Sequence, residues 1–260
     1  MSSAAQLDDI LDCWANWQAG ISQRPIVVGK LSNGLVSQCW HIASENKNFV
    51  IRFSSRTIEE INCRWEEELQ AAKMAAALGI TPGVVYASDK NKAMVLEWGG
   101  EVATAKRLRS EECLARLAKA LRQLHQTPAQ LNTPGYEQTL TLYARRIPGN
   151  GLSRVDQDIL KYARYLDGQH QHLVFCHHDL SIGNILLLPD KIQLVDWEYA
   201  RIGHALFDLA SLVESAELNE AQSRFLLGEY GAPKSFMDDM PRMLGLIHHL
   251  GDLWESALAS

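Results

Sequence analysis

The stretch that most constrains this chain of 260 residues runs from Cys176 to Ala200, CHHDLSIGNILLLPDKIQLVDWEYA. Two short apolar runs, NILLL and IQLVDW, flank the turn PDK, so the stretch reads as a loop followed by a small hairpin of strands. His177, Asp179, Asn184, Asp196 and Glu198 crowd around runs that otherwise read as core. In that order of elements Asp196 falls at the end of the second strand, close to where Asn184 opens the first, and Asp179 lies in the loop beside them. Hard cations such as Mg2+ take oxygen ligands and keep several waters, so one carboxylate and one amide suffice where substrate phosphates supply the rest. Asp196 and Asn184 fit that role, and Asp179 remains to accept a proton from an attacking hydroxyl. The constellation points to phosphoryl transfer.

The rest of the chain sets the frame for that stretch. Residues 25–53 read as an antiparallel meander, PIVVGK, LVSQCWHI and NFVIRF, separated by the polar turns LSNG and SENKN. From Thr57 to Leu78 the apolar period becomes helical, with Ile61, Trp65, Leu69, Ala72 and Ala76 on one face and Gly79 as a stop. GVVYASD and AMVLEWGG follow as two more strands. Beyond Gly100 the pattern is mostly helical, with Leu114, Leu117, Ala118, Leu121 and Leu124 as an apolar stripe and further helical segments at 153–168, 205–217 and 237–258. The expectation is an α+β protein with an N-terminal lobe over 1–97 and a helical C-terminal lobe over 98–260.

Composition removes several classes. A hydrophobic fraction of 47% and a charged fraction of 22% suit a globular core rather than a disordered chain. The net charge of −6, with no block of Lys or Arg, argues against a nucleic-acid binder and leaves room for a cationic small ligand. Five scattered cysteines with no C-x-x-C pair support neither a disulfide framework nor a zinc finger. The start MSSAAQLDDI lacks the basic and apolar regions of a signal peptide, and no apolar run approaches the roughly 20 residues of a membrane span. A cytoplasmic protein with no membrane partner, monomeric or homodimeric, is expected. His170, His172, His177 and His178 do not make a zinc site, because the first two belong to a polar turn and no further pair supplies ligands at usual spacing.

The spacing His177-x-Asp179-x-x-x-x-Asn184, with Asp196 twelve residues further on in LVDWEYA, resembles the catalytic loop and metal-binding segment of the aminoglycoside phosphotransferase and choline kinase superfamily. VDWEYA followed by GHALFDLASL looks most like the thiamine kinase and choline/ethanolamine kinase branch. The resemblance covers roughly residues 28–215 by pattern. It implies a protein-kinase-like fold of two lobes, a small β-rich one and a larger helical one, with ATP and Mg2+ as cofactors. Asp179 is then the catalytic base and His177 orders its loop. Asn184 and Asp196 hold the metal, Glu198 adds a contact to the metal or to its surroundings, and Asp208 ties the catalytic loop to a following helix.

The same resemblance assigns the nucleotide cradle. KLSNGLVSQCW becomes the phosphate-covering loop, built on Asn33 and Gly34. Arg52 stands where protein kinases have a Lys, contacting phosphates and pairing with a helix carboxylate, for which Glu68 is favoured over Glu66 and Glu67. MVLEW becomes the hinge, where backbone groups of Glu97 and Trp98 meet the adenine.

The acceptor implied is the hydroxyl of a small molecule, thiamine or choline/ethanolamine ahead of an aminoglycoside. Trp197, Tyr199, Tyr230 and Trp254 raise the acceptor question: Trp254, Glu255 and Tyr230 could shape a pocket for such a cation, with core packing the favoured reading of any one aromatic. Two departures stand against the branch: Arg201 occupies a position where Gly is usual after EYA, and the C-terminal region is short. The alternatives are an aminoglycoside-type antibiotic phosphotransferase, with an acidic groove drawn from Glu214, Glu217, Glu220, Asp238 and Asp239, and a nucleotide-binding kinase-like protein without catalysis.

Overall fold

The structure is a computed structural model that describes residues 3–33, 37–54, 64–149 and 151–259. The chain divides into two compact units, one made of Met1–Glu101 with Gln193–Glu198, the other of Val102–Ile192 with Tyr199–Ser260.

In the first unit, strands β1 (Ile26–Asn33), β2 (Ser37–Ser44), β3 (Lys47–Ser54), β4 (Val84–Ser88) and β5 (Ala93–Glu97) form an antiparallel sheet in the order β1-β2-β3-β5-β4. Alternation along β3 gives the sheet two different faces. Phe49, Ile51 and Phe53 point to one side, where helix α1 (Ser3–Asp12) supplies Leu7, Ile10 and Leu11 to a shared core with Trp17, Ile42, Val85 and Val95. Trp17 meets Phe49 edge-on with ring centroids 5.8 Å apart. Arg52 and Ser54 point to the other side and meet helix α2 (Trp65–Ala77), whose buried residues include Trp65, Glu68, Ala71, Ala72 and Ala75. Residues 57–63 of the helix expected from Thr57 to Leu78 lie outside the described residues; Arg64 is extended and α2 begins at Trp65, whose indole N–H donates to Asp89 at 2.8 Å.

The second unit is helical. After β6 (Glu101–Val102) and a short turn of helix, α3 (Ala105–Leu108), come α4 (Glu111–His125), α5 (Tyr136–Arg146), α6 (Gln157–Asp167), α7 (Ala205–Ser215), α8 (Glu220–Tyr230) and α9 (Ser235–Leu258). The stripe Leu114, Leu117, Ala118, Leu121 and Leu124 of α4 is fully buried, and Ser110 caps its first turn. The carboxylate of Asp167 closes α6 and accepts from the first N–H groups of α5, Tyr136 at 2.8 Å and Glu137 at 2.9 Å. Gly135 is required there, because a Cβ would stand 2.7 Å from that carboxylate. α8 opens on a capping box of Asn219 and Gln222 and closes on Gly231 at φ 77°.

Four short strands carry the stretch singled out above. β7 (Leu173–Cys176) pairs antiparallel with β10 (Arg201–His204), and β8 (Ile185–Leu187) and β9 (Ile192–Leu194) flank a turn in which the Leu188 N–H donates to the Lys191 carbonyl. Among the described residues no helix is long and apolar enough to cross a membrane.

Candidate active site

In the second unit, the loop after β7 is hung on one buried carboxylate. Asp208, in the first turn of α7, is wholly inaccessible and accepts from the backbone N–H of His177 at 2.8 Å and of His178 at 2.7 Å. His125, the last residue of α4, adds Nε2–H to the same carboxylate at 3.0 Å, which leaves Nδ1 to accept from the Tyr230 hydroxyl at 2.8 Å. Burial alone would raise the carboxyl pKa of Asp208, but the His125 hydrogen bond, the neighbouring histidines and the N–H donors lower it below the ordinary range. His125, Cys176 and Asp208 lie close enough to suggest a metal, yet both His125 nitrogens and both Asp208 oxygens are already engaged, so the cluster is a hydrogen-bonded tie. His125 is the residue that sequence reasoning passed over, and Tyr230 is committed to it.

The catalytic loop hangs from that tie. His177 is buried and its Nδ1 accepts from the Asp179 N–H at 3.3 Å. Asn184 donates Nδ2 to the Asp179 carboxylate at 2.8 Å and to the Asp179 carbonyl at 2.9 Å. The amide nitrogen is thereby directed at Asp179, and the amide oxygen is the atom of the group chemically suited to a cation.

In the first unit, Arg52 gathers three carboxylates. It is buried, with Nη1 2.7 Å from Glu68 and Nη2 2.6 Å from Glu198, and the same Nη2 donates to Asp196. Ser54 completes the cluster with a hydrogen bond of 2.5 Å to Glu68. Burial works against the charge on Arg52, but Asp196, Glu68 and Glu198 outweigh it and push its pKa well up. One guanidinium cannot balance three acids. Burial and the adjacent Asp196 push Glu198 up to about 8, and burial likewise raises Glu68. Asp196 is the most exposed of the three, its side chain 28% accessible, and its backbone stands in the left-handed region at φ 72°. A divalent cation suits this donor set, because it would offset the surplus negative charge at the one carboxylate that solvent reaches. Glu198, at 8% exposure, meets Arg52 directly.

The remaining candidates fall as follows. Asn33 ends β1 opposite Gln38, and Gly34 lies outside the described residues. The N–H of Glu97 donates to the Gly83 carbonyl at 2.9 Å and that of Trp98 to Asn48 at 3.1 Å, so neither N–H is left to donate to an adenine. The Trp98 ring rests on His41, 4.2 Å between centroids. Trp197 is core: its indole N–H reaches Thr81 at 3.2 Å. Tyr199 and Trp254 meet edge to face at 6.4 Å in the second unit.

Fold and sequence together define a phosphotransferase of the kinase-like class. Residues 28–246 match the phosphotransferase enzyme family, and the chain belongs to it. A curated relative, the Protein LicA homolog of Metamycoplasma hominis, is 29% identical over 151 residues, which is 55% of this chain and little more than half, 58%, of that protein. Among solved structures, the choline kinase LicA from Streptococcus pneumoniae superposes with a TM-score of 0.76 at 16% identity, covering 98% of this chain and 91% of that one. A LicA structure in complex with AMP gives 0.74 at 17% identity, covering 97% and 90%. At these identities the superpositions establish the fold.

Proposed function

We propose that the chain is an ATP- and Mg2+-dependent kinase that phosphorylates the hydroxyl of a small cationic alcohol, choline or ethanolamine ahead of thiamine. The observation that carries this reading is the pair Asp179–Asn184, in which one amide fixes the carboxylate and carries an oxygen suited to a cation. Asp179 orients the acceptor hydroxyl and takes its proton as the oxygen attacks. His177 and Asp208 hold the loop so that this carboxylate keeps one direction. Asn184 and Asp196 would hold Mg2+, which when bound neutralises the charge on the nucleotide phosphates. Arg52, held by Glu68, would contact those phosphates. Residues 1–97 carry the nucleotide cradle and 98–260 the catalytic loop, with Asn33 and Gly34 in the phosphate loop.

The acceptor preference rests on two supports. One of the solved structures named above is a choline kinase, and Tyr199 with Trp254 offers aromatic faces of the kind that attract a quaternary ammonium. The acids that would line an aminoglycoside groove are largely committed elsewhere: Glu214 to His248, Glu217 to Arg109 at 2.7 Å, and Glu220 to Arg224 at 2.7 Å. Scattered cysteines without a framework fit a cytoplasmic setting. The test is ADP release with Mg2+-ATP across choline, ethanolamine, thiamine, several sugars and kanamycin. A strong response to choline or ethanolamine is expected. A response to kanamycin alone would move the chain to the antibiotic kinases, and nucleotide binding without release on any acceptor would defeat the reading.

A further inference from the structure

His178, between the loop histidine and the proposed base, combines a left-handed backbone with a stacked ring. Its φ of 67° is in the left-handed region, which a residue with a side chain adopts only against steric strain. Its Nε2 is buried, and among the described residues that atom has no hydrogen-bond partner. A buried imidazole nitrogen left unpaired is unfavourable, so the ring is held by contacts other than a bond at that nitrogen.

Flat contacts hold it. The His178 ring lies on Phe207 with centroids 3.5 Å apart and planes 14° from parallel. Tyr136 closes the stack at 5.5 Å from His178 and 5.9 Å from Phe207. Below it Gly203 leaves the needed room: a Cβ there would come 2.8 Å from the Tyr136 hydroxyl oxygen and 3.6 Å from the His178 ring. Burial drives the imidazole pKa well below the ordinary histidine value, with the Arg201 charge acting in the same direction, so the ring stays neutral. The backbone N–H of His178 itself donates to Asp208 at 2.7 Å, so residue 178 is fixed at backbone and ring together.

We propose that His178 is a positioning residue, whose ring, stacked on Phe207 and Tyr136 above Gly203, holds the left-handed backbone that aims the carboxylate of Asp179. The proposal deepens the kinase reading and rests on it. It distinguishes a flat plate from a proton carrier. His178→Phe keeps the plate and drops both nitrogens; His178→Asn suits the left-handed backbone but drops the plate; His178→Ala drops plate and nitrogens together, so the comparison of Phe with Ala isolates the plate.

The experiment is steady-state ADP release by the full chain with the acceptor found above, alongside nucleotide affinity and melting temperature. Ala and Asn should lower kcat on the order of tenfold to a hundredfold with the KM for ATP unchanged, as a displaced base does. Phe should recover kcat to within about threefold, with the pH profile of the wild type. Phe207→Leu, which strips the stack from the other side, should reproduce the Ala phenotype and carries the test should Ala not fold. Undiminished kcat in Ala, or a folded Phe variant as slow as Ala, overturns the proposal while an active wild type leaves the kinase reading intact. A wild type that binds nucleotide yet releases no ADP with any acceptor overturns both.

Discussion

Asp208 spends both oxygens on three donors with no water in reach, and that makes its charge indispensable to the fold. Asp208→Asn would set an amide N–H2 against N–H donors already aimed there, and should cost about 3–5 kcal/mol in urea unfolding, the range for a broken buried charge network. Asp179→Asn is the opposite case. The amide keeps an oxygen for Asn184, so stability and nucleotide affinity should hold while turnover falls about a hundredfold or more in the ADP assay. The pairing of Asp179 with Asn184 could be sought in the sequence because they stand five positions apart in one loop, and the structure joins them by hydrogen bonds. His125 was not legible in this way. It continues the buried stripe of α4 one position past Leu124, so period alone makes it one more core position, and only the folded chain shows a carboxylate and a phenol waiting at its two nitrogens. Arg52 and Glu68 were read from the resemblance, and the structure adds that Asp196 and Glu198 join them on the same guanidinium.

Elements that bury a long, regular face were readable, and elements defined by what they pair with were not. The meander, α4 and the two strands around PDK stand where the alternation and the three- to four-residue period place them. Helix α1 has only Leu7, Ile10 and Leu11 as apolar anchors inside an acidic, alanine-rich start, too few to separate a helix from a polar leader. Its helicity comes from the sheet face it covers, not from its own propensity. Leu11 is 1% exposed in that core, so Leu11→Ala should destabilise the chain by about 2–5 kcal/mol in denaturant titration. A change below about 0.5 kcal/mol, typical of a surface site, would show that the helix is ornamental. β10 was equally hidden, since RIGH carries one apolar side chain and becomes a strand only through its register with β7, Arg201 opposite Cys176. The buried Arg201 that departs from the family pattern lies over the Tyr136 ring and reaches Thr139 at 3.2 Å.

For the molecule as a whole, the acid cluster on Arg52 sets how stability follows pH. Glu198 and Glu68 hold their protons more tightly folded than unfolded, so the native chain binds more protons than the denatured one above the ordinary glutamate range. By linkage the contribution is complete at lower pH and is lost as pH rises through about 8, where Glu198 ionises. The melting temperature in metal-free buffer should therefore decline across that window, and Glu198→Gln, which keeps an acceptor for Arg52, should flatten the decline; parallel curves would contradict it. The path of the chain adds a constraint of another kind. Gln193–Glu198 leaves the helical unit for the sheet unit and Tyr199 resumes the former, so two of the three acids on Arg52 come from six residues encoded nearly a hundred codons after the rest of their unit. A gene fragment stopping at Glu101 would strand a buried guanidinium on Glu68 alone. The two units are thus separate as cores yet inseparable as heritable pieces, and recombination that swapped either one whole would have to carry that short detour with it.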